Sequence, residues 1–145
     1  MNTELRVEII TQSGVEYQGT ATGIVVPGAL GYLGIRPGHA PLISTLVTGV
    51  VTLHQADGDT YAAITGGIIE VFDDLATILA DVAEMATEID IARTREAMRR
   101  AKERLQAAYE GPAIRRSDLD IDRAKLALAR AVNRLHTADK AGMLG

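Results

Sequence analysis

The spacing of apolar residues changes period once along this chain, close to residue 87, and that change limits the fold to two unlike parts in series. Before it, Leu5, Val7 and Ile9 alternate with Arg6 and Glu8, the period of two that marks a half-buried strand. Gly14 follows, and the pattern continues in the runs Gly23 to Val26, Leu42 to Leu46, Val50 to Gln55, Tyr61 to Thr65, Ile68 to Phe72 and Ala76 to Ala80. Pro27-Gly28, Asp57-Gly58-Asp59, Gly66-Gly67 and Asp73-Asp74 separate these runs with residues suited to tight turns. Short strands at roughly 8 to 12 residue intervals, with no helix between them, point to an antiparallel sandwich or flattened barrel.

After Ala86 the pattern becomes helical. Thr87 with Asp90, and Ser117 with Asp120, fit a capping box in which the acid is shorter than usual, so two helices are expected to start near 88 and 118. Ile91, Met98 and Leu105 repeat every seven residues with Ala101 and Ala108 between them, as do Ile121, Leu128 and Leu135 with Ala124 and Ala131. Gly111-Pro112 breaks the pattern, because proline cannot continue a helix. The result is an antiparallel hairpin with a narrow, alanine-rich seam. A seam of that kind buries little area, so the hairpin is expected to be weakly held and able to rearrange.

Charge divides at the same place. Residues 1–88 carry two basic and eleven acidic groups, net −9, and residues 89–145 carry thirteen and eight, net +5, which together give the −4 of the whole chain. A dipolar chain of this kind offers docking places for anions or acidic surfaces. Four Tyr, one Phe and no Trp leave little from which to build a stacking platform for bases or sugars. Absence of cysteine excludes disulfides, thiolate metal sites and Cys nucleophiles. No run approaches the ~18 apolar residues of a membrane span, and the first twenty residues lack a basic-then-apolar leader, so a soluble chain is expected.

Catalytic signals are missing. His39 follows Pro37-Gly38 and reads as a hydrogen-bonded loop residue, while His54 and His136 stand apart from other ligand types. The glycines at 28, 31 and 34 precede no Lys-Ser/Thr pair, and no serine sits in a nucleophile elbow. The hairpin holds the one constellation with chemistry. Folding it about residue 112 or 113 sets Asp90 and Arg93 level with Arg130 and Arg134, the latter two spaced i,i+4 on one face. Three guanidiniums beside a helix start suit a polyphosphate, which arginine forks bind bidentately. The same arginines also read as solvated helix-face charges, or as partners of nearby acids. The run Arg99, Arg100, Lys102 and Arg104 carries the same two readings, a solvated face or a dock for acidic surfaces.

The segment Gly31-Tyr32-Leu33-Gly34-Ile35-Arg36-Pro37-Gly38-His39-Ala40-Pro41-Leu42 resembles the most characteristic stretch of the epsilon subunit of bacterial F-type ATP synthase, and Gly66-Gly67-Ile68-Ile69-Glu70-Val71 resembles a second. Ile89-Asp90-Ile91-Ala92-Arg93-Thr94 resembles that family's ATP-binding motif, with Thr94 where the motif has Ala. The segment Arg130-Ala131-Val132-Asn133-Arg134-Leu135 resembles the one supplying its further arginines. The resemblance implies a sandwich of about ten strands over residues 1–87 and a regulatory two-helix domain over 88–145. It implies ATP, with or without Mg, as a regulatory ligand held by Glu84, Ile89, Asp90, Arg93, Thr94, Arg130 and Arg134. Docking would fall to Gly38, His39 and Pro41 in the strand domain and to Arg99 and Arg100 in the hairpin. The implied partners are the gamma subunit and the c-subunit ring, with the alpha and beta subunits joining when the hairpin extends. The subunit would be non-catalytic, without catalytic cofactor, nucleic acid or direct membrane insertion, and peripheral on the cytoplasmic face of the bacterial plasma membrane. It would couple rotation to ATP synthesis and restrain ATP hydrolysis. A stand-alone sandwich whose basic hairpin engages nucleic acid or an acidic protein is the competing reading.

Overall fold

The computed structural model describes residues 3–111 and 118–144. Eight strands come first: β1 (Leu5–Thr11), β2 (Gly14–Ala21), β3 (Gly23–Gly28), β4 (Gly31–Ile35), β5 (Leu42–Gln55), β6 (Gly58–Phe72), β7 (Leu75–Ala80) and β8 (Ala83–Met85). A 3₁₀ turn (Ala86–Glu88) leads to α1 (Ile91–Glu110), and α2 (Asp118–Lys140) follows. Sheet order is β2-β1-β7-β6-β5-β3-β4, with β8 added to β6. Alternation along β1 holds in three dimensions: Leu5, Val7 and Ile9 are fully buried while Arg6 is exposed.

The expected ten strands become eight because two pairs of runs fuse. Leu42 to Leu46 and Val50 to Gln55 form the single strand β5, and Tyr61 to Thr65 and Ile68 to Phe72 form β6. Their ladder keeps one register from Leu42↔Val71 to Gln55↔Gly58. Gly66-Gly67 bends β6 without ending it: its first half pairs with β8 and its second with β7, so the long strand serves both layers of the sandwich. A Cβ on Gly67 would lie 2.1 Å from the Leu79 carbonyl oxygen at φ +139°, so only glycine fits there. One pairing departs from the antiparallel expectation, since β1 runs parallel to β7 from Arg6↔Leu75 to Ile10↔Leu79.

Helix α1 begins three residues later than expected. Thr87 lies in the 3₁₀ turn and Asp90 is the N-cap, its Oδ1 accepting from Arg93 N at 3.0 Å. Ser117, and with it the second expected capping box, lies outside the described residues. At the other end α2 closes with a Schellman arrangement: Gly142 at φ +75°, Gly142 N donating to Asp139 O and Met143 N to Ala138 O. That turn folds Met143 and Leu144 onto Ile89, Ala63 and Ala138.

The helices pack through their small residues. Thr94 and Ala101 of α1, and Ile121, Ala124 and Ala131 of α2, are buried, and Ala101 and Ala124 line one groove. Ile91, Met98, Leu105, Leu128 and Leu135, expected at the seam centre, are only half-buried. Alanine lets the two backbones approach closely, which leaves the larger side chains along the edges of the contact.

Candidate functional site: a cleft between the strand domain and the second helix

Where α2 lies on the sandwich, strand faces that would meet solvent are covered. Ala62, Ala63 and Ile64 of β6 are buried in succession, as are Gly49, Val50 and Val51 of β5. Ala62 and Ile64 belong to the main core, whereas Ala63 packs with Ala138 of α2 and with Ile89. Those continuous apolar runs were the available sequence signal for the footprint, since a strand covered on both faces loses its alternation.

Beside this footprint opens a cleft of about 410 Å³, lined by Ala63, Thr65, Asp81, Val82, Glu84, Arg130, Asn133 and Arg134. Three residues expected in an ATP site, Glu84, Arg130 and Arg134, therefore share one cavity. Arg134 already has a partner in it: Nε and Nη2 donate to the two Glu84 carboxylate oxygens at 2.7 and 3.0 Å. Glu84, which by sequence alone is an ordinary exposed acid, is half-buried through this bidentate pair. Asp81, Thr65, Val82 and Asn133 line the same cleft and were not singled out from the sequence; they come from the middle of β6, the turn between β7 and β8, and a helix face, which meet only on folding.

The other four expected residues do not line the cleft. Asp90 and Arg93 sit exposed at the start of α1, where the Asp90 carboxylate already takes one first-turn amide. Ile89 is buried between Ala63 and Ala138. Thr94 is fully buried in the helix–helix seam, and its hydroxyl donates to the Asp90 carbonyl at 2.7 Å. The extra polar group of this residue is therefore satisfied inside its own helix turn.

The basic run on α1 is partly neutralised from within. Arg99 donates to Glu96 and Glu103 on the same helix face. Its hydrogen bonds, first to Glu96 and then to Glu103, raise the guanidinium pKa, and its grip holds the Glu96 carboxyl below the usual glutamate range. Arg100, Lys102 and Arg104 remain exposed.

The loop after β4 is tightly organised. Gly38, at φ +83°, donates its N–H to Asp74 Oδ1 at 2.6 Å, and His39 N donates to Arg36 O at 3.1 Å. His39 Nδ1 lies 2.7 Å from Ala40 O, the hydrogen-bonded loop role expected of it, and Pro41 is exposed. His54 is not isolated as the sequence suggested: the β5–β6 register sets it opposite Asp59, with Nδ1 at 2.8 Å from the carboxylate. Among the described residues no three acidic or histidine side chains form a metal-binding group, and no helix is long and apolar enough to cross a membrane.

Two family descriptions match consecutive parts of this chain. Residues 4–86 match the ATP synthase delta/epsilon chain beta-sandwich domain, and residues 87–139 match the ATP synthase delta/epsilon chain long alpha-helix domain. Among similar proteins is the ATP synthase epsilon chain of Moorella thermoacetica, 43% identical over 135 residues, which cover 92% of this chain and 96% of the relative. The ATP synthase epsilon chain of Bacillus licheniformis is 44% identical over 135 residues, covering 92% and 97%. A chain in the Euglena gracilis mitochondrial ATP synthase shares the fold at TM-score 0.75 and 18% identity, over 99% of this chain and 83% of its own.

Proposed function

This chain belongs to the ATP synthase delta/epsilon family in both of its parts, and from that premise we propose that it is the non-catalytic epsilon-type subunit of a central stalk, coupling rotation to ATP synthesis and restraining ATP hydrolysis through its hairpin. The observation that carries the regulatory reading is how α2 is held. Small buried residues and a few polar contacts, chiefly Arg134 to Glu84, join it to the sandwich, so it can leave without opening the strand core. The competing reading of a nucleic-acid module finds no support: Tyr109 is the one aromatic in the hairpin sequence.

In this reading the sandwich docks on the gamma subunit and the c-subunit ring, using the loop that contains Gly38, His39 and Pro41. When the hairpin extends, Arg99 and Arg100 face the alpha and beta subunits. The assembly places the chain peripherally at the cytoplasmic face of the bacterial plasma membrane. ATP acts as a regulatory ligand of the compact state. Its phosphates displace Glu84 from Arg134 and engage Arg130 and Arg134, with Arg93 reaching in from α1, while the released Glu84 accepts from the adenine amino group. Asp81 in the same cleft opposes a bare polyphosphate, which favours a Mg-bearing one. ATP shifts the hairpin only by its preference for the compact form.

Removal of residues 89–145 is expected to raise ATPase activity of the assembled enzyme while assembly stays intact; unchanged activity would end the inhibitory reading. Calorimetric titration of the isolated chain with ATP and magnesium tests the ligand. Binding lost in Arg93→Ala and Arg134→Ala supports the site, and equal binding in both variants and wild type removes these residues from it.

A further inference from the structure

We propose that Asn133 is a positioning residue: it seats α2 on the sandwich in one register, and so aims Arg130 and Arg134 into the cleft, by donating to backbone carbonyls of the β5–β6 ladder under the helix. Strand β3 pairs with β5 at Val25↔Thr52 and again at Gly28↔Leu46, with a shift between. Five residues of β5, 47–51, therefore face only Val26 and Pro27, and proline has no N–H to give. The peptide joining Gly49 to Val50 falls within this gap. Its two polar groups point to opposite sides of a trans peptide, and a side chain from another element meets each: Tyr32 the N–H that faces the gap, Asn133 the carbonyl on the β6 side. Tyr32 Oη of β4 accepts from Val50 N at 3.3 Å, and Asn133 Nδ2 of α2 donates to Gly49 O at 2.8 Å.

The geometry is specific on both sides. A Cβ at residue 49 would lie 2.5 Å from Pro27 Cβ and 2.9 Å from Tyr32 Oη, so glycine is needed for this backbone to sit where Asn133 meets it. The Asn133 amide also reaches Ile64 O at 3.5 Å, and Ile64 is the ladder partner of Gly49, so one side chain spans the two strands that carry the footprint. No other residue between Asp118 and Lys140 bears an amide. A slide of α2 by one turn would bring Ala129 or Thr137 over the acceptor, and neither has a nitrogen donor in its side chain. Asn133 lies one turn beyond Arg130 and next to Arg134, so the register it selects is the one that fills the cleft.

This inference concerns docking of α2 and stands whether or not ATP is the ligand. The chain has no cysteine, so Asp57→Cys and Leu126→Cys, both at exposed positions, take a pair of spin labels across the footprint. Distances are read along a urea titration so that docked and released hairpins are both visible. Asn133→Ala is expected to raise the released-to-docked ratio about fivefold, the loss of one net hydrogen bond. Asn133→Asp, which keeps the shape and turns a donor into an acceptor, is expected to raise it further. A second readout separates positioning from bulk packing. The Val50 N–H shares its peptide with the Gly49 carbonyl, so its amide resonance shifts upfield in both variants, whereas Glu84→Gln, at matched docking, leaves it in place. A wild-type label distance together with an unmoved Val50 resonance in Asn133→Ala overturns the proposal. Loss of the sandwich spectrum in that variant overturns it as well, because a docking residue leaves the strand core intact.

Discussion

Replacing Glu84 with glutamine tests most directly how the hairpin is held. The Glu84–Arg134 pair is bidentate, at 2.7 and 3.0 Å, and its side chains are 23% and 32% exposed. Fully exposed pairs contribute about 0 to 1 kcal/mol, and removing one partner from a buried pair costs about 3 to 5 kcal/mol. A pair at this depth lies between, at about 2 kcal/mol, which corresponds to about 30-fold in the docked-to-released ratio. Glutamine keeps one acceptor oxygen and the shape, so the loss reports charge and the second hydrogen bond rather than a cavity. The assay is the label distance across the footprint along a urea titration, repeated with Arg134→Met and with both changes together. Coupling between the two sites of about 1.5 kcal/mol or more is expected, with the melting of the strand domain unchanged. Coupling below about 0.5 kcal/mol would refute the idea that this pair holds α2 down.

Gly67→Ala is expected to cost about 3 kcal/mol or more in a thermal melt of the strand domain, because its Cβ would meet the Leu79 carbonyl at 2.1 Å and its φ is +139°. Asp90→Ala removes the N-cap of α1 and should cost about 1 kcal/mol, read as faster amide exchange in the first turn with no nucleotide present. That control is needed before any loss of ATP binding in the same variant is read as a lost contact. Glu96 should titrate below the ordinary glutamate range when its carboxyl resonance is followed against pH, because Arg99 holds its charged form. Its folded pKa is depressed, so the support it gives α1 is complete above the unfolded value and lost as pH falls through the folded one; Arg99→Gln should return the midpoint to the ordinary range.

The sequence determined those features that depend on neighbours along the chain. Period two in β1, the apolar repeats of the helices and the turn residues between runs are local restrictions on backbone and side-chain direction, and they survive in the structure as strands, helices and most of their boundaries. The chain order of the two parts, the change in charge near residue 88 and the family likeness were legible for the same reason. Strand count was not, because a glycine pair that usually ends a strand here lets β6 bend and continue, and only the single register of the β5–β6 ladder on both sides of it reveals this. The start of α1 was missed by three residues because Thr87 and Asp90 can both cap, and the 3₁₀ turn at Ala86–Glu88 decides between them.

Tertiary structure alone decided the cleft. Arg130 and Arg134 could be placed on one helix face from their spacing, but Glu84 is 50 positions from its partner and Gly49 is 84 from Asn133. Whether a charge is solvated or paired depends on what folds beside it, and no periodicity carries that information. Thr94 shows the same limit: the sequence marks it as an unusual residue, while only packing turns its side chain into the helix seam and satisfies its hydroxyl on Asp90. Sequence thus fixed which groups are available, and the long-range approach of α2 to β5 and β6 fixed which of them meet.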